Sequence, residues 1–288
     1  MNWKEGLKIA RELGKIRISL PVSLSALAGF FLYAGTAGWE VLALAFGVLL
    51  MSCGSATLNH IQEFRIDQMM SRTKSRPLPS NRISLTGAWG FALGYMIAGS
   101  LLLVLWFPPT ALILAWVTLF WYNLIYTPLK KVTAFAVVPG SVTGALPPVI
   151  GWTAAGGGVW DLDILLVAAF FFIGQIPHFW LLLLMFGEQY GEAGLPTLNK
   201  VFSRMQIKHI SFVWIMTTVA SAFMVMGYVI THQWLRLALL VYILFLIYSL
   251  VLRFFVQKEF QPLAPFYRLN FLYLLMMFLL MAEGWLSR

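Results

Sequence analysis

The sequence predicts an all-α membrane protein, a bundle of about nine transmembrane helices forming one polytopic domain over residues 1–288. Three observations point there. Of the 288 residues, 60% are hydrophobic and only 11% charged, against about 25% charged in a typical soluble domain. A water-soluble fold lacks the polar residues to cover that surface, so lipid must cover part of it. Nine apolar stretches reach the ~20 residues that a spanning helix needs. The basic residues fall almost entirely in alternate loops between those stretches.

The predicted spans are 16–36, 40–60, 84–107, 109–126, 134–153, 163–185, 208–230, 234–256 and 266–286. Before them, residues 1–15 interleave Trp3, Leu7, Ile9, Ala10 and Leu13 with Lys4, Lys8, Arg11 and Lys15, the pattern of a short interfacial helix. The segment shows no cleavable signal pattern, because the apolar run beyond it continues for span length. With the N-terminus placed in the cytoplasm, every Lys and Arg of the 20 except Arg236 and Arg288 falls on the cytoplasmic side. That asymmetry sets the orientation and favours an odd number of spans. The expected location is the cytoplasmic (inner) membrane, multi-pass. It also accounts for the formal charge of +9 without a nucleic-acid partner. The single cysteine, Cys53, lies inside an apolar run, which excludes an intrachain disulfide and a Cys-based zinc site.

The outer loops are short or rich in Gly and Pro, such as 107–109 and 153–161, whereas the inner loops after spans two and six are longer and carry both signs of charge. Chemistry is therefore expected on the inner face. The first constellation there is NHIQEFRIDQMMSRTKSRPLPSNRIS, residues 59–84. Asn59, Glu63 and Asp67 are spaced i, i+4, i+8, one face of a continuing helix. An amide oxygen and two carboxylates are hard ligands suited to magnesium, which completes its shell with water and substrate phosphate. Arg72, Lys74 and Arg76 come next, as a phosphate or diphosphate ligand beside such a metal requires. Pro77 and Pro79 are expected to end the helix. Taken alone, the same residues also read as a solvated mixture of charges.

Glu188 and Glu192, again i, i+4, form a second acidic pair after span six, or simply a fraying helix end. Tyr126 closes span four, with Lys130 and Lys131 just beyond: a stop-transfer pair, or Lys130 as a cation for a leaving diphosphate. Gln175 and His178, i, i+3 in span six, are polar groups in an apolar helix and face the same way. They fit either a functional role or an interhelix hydrogen bond, and Pro177 between them is expected to loosen the helix. PGSVTGALPPVIGW, residues 139–152, brings small residues into span five, suited to close helix contact or to room for a flat substrate.

These residues resemble the UbiA superfamily of membrane prenyltransferases, and within it the protoheme IX farnesyltransferase (haem O synthase) branch. The likeness runs over nearly the whole chain. It is carried by GKIRISLPVSLSALAGF, by N-x3-E-x3-D followed by M-x-R-T-K-x-R-P-L-P, by YTPLKK, TGALPPVIGW and Q-x-P-H-F, and by the Y-x-x-A-G-x-P-x-L run at 190–198. Two positions depart from the family pattern: Gln189 stands where Asp precedes the Tyr, and Gly174 where a Trp precedes the Gln.

The resemblance implies a nine-helix bundle with a central cavity open to the cytoplasmic side. It implies Mg2+ held by Asn59, Glu63 and Asp67, with Glu188 and Glu192 as a second site. It implies diphosphate binding by Arg72, Lys74, Arg76 and Lys130, and an acceptor met by His178; by their places beside these, Tyr126 is expected to join the diphosphate site and Gln175 to support His178. The implied reaction moves a farnesyl group from farnesyl diphosphate to a vinyl group of haem B, within the lipid bilayer. Two rival readings are a UbiA-type enzyme with an aromatic or quinone-precursor acceptor, and a non-catalytic transporter or haem-binding membrane protein. Transporters show inverted repeats, and no clear internal repeat is visible.

Overall fold

A computed structural model describes residues 3–192, 194, 196–257 and 260–287, with every side chain among them except those of residues 188–190, 192 and 199. The described residues are helical, without strands. An amphipathic α1 (Trp3–Leu13) precedes α2 (Ile16–Ala34), α3 (Glu40–Met69) and α4 (Leu85–Trp106). Next, α5 (Pro109–Phe120) continues through a π-helical turn (Trp121–Tyr126) into the short α6 (Thr127–Leu129). A 3₁₀ turn (Ala134–Ala136), α7 (Val137–Gly140) and α8 (Val142–Ala154) form one further span. Then come α9 (Leu162–Glu192), α10 (Arg204–Tyr228), α11 (Gln233–Val251) with a π turn to Val256, and α12 (Leu263–Leu286). Nine of these stretches are long and apolar enough to cross a membrane. The chain is a multi-pass membrane protein.

Local chemistry explains the ends. Gly35 closes α2 at φ 70, a conformation that suits a residue without a Cβ. Ser84 caps α4 by accepting from the Gly87 N–H, and Ser203 with Gln206 forms a capping box at α10. Pro109 opens α5, where its missing N–H has no partner to lose. The spans match expectation within a few residues, with two informative exceptions: α3 runs on to Met69 and α9 to Glu192. The helix of the first acidic motif is thus the second span itself. It also ends at Met70, in extended conformation, well before Pro77. The prolines rigidify the turns beyond it and do not terminate the helix.

In the packing, α2 is central, contacting α3, α8 and α12. One core forms around Phe170, Ile215, Leu246 and Met276, a second around Leu44, Val48, Ala92 and Leu103. Helix α8 joins them, giving Val149 to the first and Ile150 to the second. The lipid-side surface stays apolar, with Leu105 74% and Leu244 56% exposed. Close approach of α2 and α8 depends on glycine: a Cβ on Gly151 would overlap the Ala26 carbonyl, and one on Gly29 the Pro148 carbonyl. Gly151→Ala is therefore expected to cost about 3 kcal/mol by overpacking and to lower Tm in detergent by roughly 6–12 °C. Gly90→Ala, inside α4, should not lower Tm, because nothing lies within 4 Å of a Cβ there and alanine is the better helix former.

Candidate active site

Asn59, Glu63 and Asp67 share one face of α3 and are 1%, 7% and 3% exposed. Burying a carboxylate without a partner is prohibitive, and each of the three is met by a cation from a different segment. Lys15 Nζ donates to Asn59 Oδ1 at 2.7 Å. Lys130 forms an ion pair with Glu63 Oε1. Arg76 Nη1 donates to both oxygens of Asp67, at 2.8 and 2.7 Å.

The local structure brings these cations in. Lys15 sits in a left-handed turn (φ 44, ψ 50) that bends α1 into α2. Burial pushes its ammonium down to about 7, and Arg76 and Lys130 push the same way against Glu63 and Asp67. The α1 helix is tied to the loop after α3 through Arg82, which bonds Glu12, Glu5 and the Ser75 carbonyl. That loop is folded back on α3 by Thr73, whose hydroxyl donates to the Asp67 carbonyl at 2.9 Å. Helix α3 is also stitched to the π turn and α6. Asn123 Nδ2 donates to Ser55 Oγ at 2.7 Å, Gln62 Nε2 to the Asn123 carbonyl at 3.1 Å, and Asn59 Nδ2 to Thr127 Oγ1 at 3.3 Å. Such π turns inside helices are frequent at functional sites; beyond this one Thr127 and Lys130 meet α3, while Tyr126 packs on Gly140 and Phe179.

The other predicted residues are placed in different ways. Tyr126 is buried, with Lys130 Nζ 5.6 Å above its ring. Arg72 lies over Phe186 of α9 at 5.4 Å, tying the loop to the end of that helix. Lys74 is exposed, and its side chain pairs with no described residue. Lys131 is exposed and donates to the Gln62 carbonyl at 3.3 Å, apart from the acidic ladder. Glu188 and Glu192 fall on α9, but their side chains lie outside the described residues.

Gln175 packs on Gly144 of α8, whereas His178 turns to α12, where its Nδ1 lies 2.8 Å from Asn270 Oδ1. The two are one turn apart, yet His178 is held by Asn270, not by Gln175. The small residues of 139–152 divide their work. Gly151 allows helix contact, while Gly140 and Gly144 seat Tyr126 and Gln175.

A wall of rings leads away from Lys130. Tyr126 meets Phe179 (6.1 Å), Phe179 meets His178 (5.6 Å), and His178 meets Phe266 (4.7 Å). Sequence reasoning missed Lys15, Phe179, Phe266, Asn270 and also His60, which is buried, lies 3.8 Å from Asp67 and has no side-chain hydrogen bond to a described residue. Only Lys15, a cation one residue before a span, carried a readable signal.

The donor set fits magnesium. No group of three His, Cys, Asp or Glu able to hold a metal occurs among the described residues. Two carboxylates and an amide oxygen are buried together along one face of α3, and magnesium uses one or two carboxylates and takes its remaining oxygens from water and phosphate. A ring of cations surrounds the same oxygens, as a diphosphate bound with its metal requires.

Residues 22–279 match the UbiA prenyltransferase family. The chain belongs to that family. This UbiA chain is an enzyme, a prenyltransferase. It is 40% identical over 190 residues to a protoheme IX farnesyltransferase of Geobacter sulfurreducens, covering 66% of this chain and 70% of that one. It is 33% identical over 286 residues to the protein of that name from Legionella pneumophila, covering 96% and 94%. Its fold matches a UbiA homolog from Archaeoglobus fulgidus bound to GPP and Mg2+, with a TM-score of 0.72, 16% identity, and 96% and 98% of the two chains covered.

Proposed function

We propose that this UbiA prenyltransferase transfers a farnesyl group from farnesyl diphosphate to a vinyl group of haem B, giving haem O. The observation that carries the reading is the continuous path from three cation-paired oxygen ligands, across a wall of rings, to a histidine. Asn59, Glu63 and Asp67 would hold Mg2+. Bound magnesium supplies positive charge that draws electron density from the diphosphate leaving group.

The residues supply the rest. With a diphosphate bound, Lys130, Arg76 and Lys15 would turn from these oxygens to the phosphate oxygens, which would leave Glu63 and Asp67 to hold the metal. No charge is left unpaired at either stage, which keeps the buried site intact both empty and loaded. Arg72 and Lys74 add charge from the loop. Negative charge on the leaving group grows as the allylic C–O bond breaks, so these cations stabilise the transition state more than the ground state. The farnesyl cation then faces Tyr126 and Phe179, whose π faces attract positive charge and exclude water. His178 meets the acceptor, whose vinyl group takes the farnesyl cation, and water adds to the resulting cation with loss of a proton.

The protein would lie in the cytoplasmic membrane with the N-terminus and this site on the cytoplasmic face, as the basic loops suggest. A reporter joined after Arg288 should then lie outside and one inserted at Ser75 inside; both on one side would refute the topology. The diphosphate half of the reading is tested by calorimetry with farnesyl thiodiphosphate. Binding is expected with Mg2+ and is lost by about tenfold or more in EDTA, as removal of bridging charge requires. Equal affinity without the metal would refute it.

A further inference from the structure

The His178 contact sets a chemical state as well as a position. A neutral imidazole carries one N–H and one lone pair. The amide oxygen of Asn270 has no proton to give, so its 2.8 Å contact with His178 Nδ1 is a hydrogen bond only when Nδ1 carries the proton. Asn270 is the sole described hydrogen-bond partner of His178. Around the imidazole lie the rings of Phe266 (4.7 Å), Phe179 (5.6 Å) and Tyr273 (6.4 Å). No described residue competes for Nε2. In free histidine the Nε2–H tautomer is the more populated, so this site reverses the default.

A second contact holds the geometry. Helices α9 and α12 touch at two successive rungs, His178 with Asn270 and, one turn away, Gly174 with Tyr273. A Cβ on Gly174 would overlap the Tyr273 ring and hydroxyl. Tyr273 therefore occupies the space a side chain at 174 would take, and the absence of that side chain lets α12 approach until Asn270 reaches the imidazole. The departure from the family pattern at Gly174 becomes part of the device.

We infer that Asn270 is a positioning residue that fixes His178 as the Nδ1–H tautomer and so presents Nε2 as a lone-pair ligand to the iron of the acceptor. The iron-ligand part rests on the haem reading above. A histidine that binds metal through one nitrogen is commonly oriented by a carbonyl or carboxylate on the other, and loss of such a partner costs about 10–100-fold in affinity.

The test uses the intact protein in detergent with 15N-labelled histidine. There are four histidines, and His178→Ala identifies the signal of interest by its loss. The expected wild-type spectrum has Nδ1 protonated and Nε2 not. Asn270→Leu should shift the population toward Nε2–H, weaken haem B binding about tenfold or more and move the haem absorption toward that of His178→Ala. Asn270→Asp, which keeps an oxygen acceptor, should restore both. Affinity for farnesyl thiodiphosphate should stay constant throughout, since Asn270 touches no diphosphate residue. An Nε2–H tautomer in the wild type overturns the inference whatever the variants do, as does an Asn270→Leu protein with unchanged tautomer and haem affinity. The expected tautomer and its loss, with no haem binding by either protein, would uphold the positioning role and overturn the haem reading instead.

Discussion

Asp67→Ala is expected to reduce farnesyl transfer at least about a thousandfold, ~4 kcal/mol of transition-state stabilisation, while the protein still inserts and folds. Asp67 is one of only two carboxylates on the ligand face of α3 and is 3% exposed, so no neighbouring carboxylate on that face can take its place beside Glu63. Folding should survive because its partner Arg76 has a side chain 25% exposed, and water can solvate the guanidinium once the carboxylate is gone. Asp67→Asn should lose nearly as much, since it keeps the shape and removes the charge. Turnover by mass analysis, with Tm in detergent as the folding control, checks both. Asp67→Ala turnover within tenfold of wild type would remove Asp67 from the metal site.

Lys130→Ala is expected to cost about a hundredfold in kcat/KM, ~2.7 kcal/mol, and Lys131→Ala less than about twofold. Two adjacent lysines make a sharp comparison. Lys130 is in ion-pair contact with Glu63 and lies over Tyr126, so in the proposed site it would face the leaving group. At ~4 Å and an effective dielectric near 20 such a contact is worth about 4 kcal/mol before desolvation, which leaves room for the smaller net figure. Lys131 reaches only a backbone carbonyl at the surface. The loss at Lys130 should fall more on kcat than on KM, because the charge it meets grows during bond breaking. Equal effects at the two lysines would return the pair to a stop-transfer role.

Much of this was legible in the residues because membranes simplify the reading. Apolar runs of span length and the bias of Lys and Arg gave the bundle, and i, i+4, i+8 spacing gave one face to Asn59, Glu63 and Asp67. Which groups meet across distance in the chain could not be read. Lys15 reaches Asn59 because a left-handed residue bends α1 into α2, and no local pattern announces that bend. Asn270 pairs with His178 across 92 positions, where helix periodicity carries no information. The π turn at Trp121–Tyr126 has no propensity signal, yet the segment just beyond it brings Thr127 and Lys130 to α3. Gly174 looked like a defect in a motif. Its purpose shows only once Tyr273 stands beside it.

The most direct test is to incubate the purified protein with haem B, farnesyl diphosphate and Mg2+ and to weigh the haem by mass spectrometry. The predicted result is a haem carrying one added farnesyl group and one added water, formed with Mg2+ and absent in EDTA. Haem recovered unchanged with Mg2+ present, while an aromatic acceptor offered under the same conditions becomes farnesylated, would contradict the account.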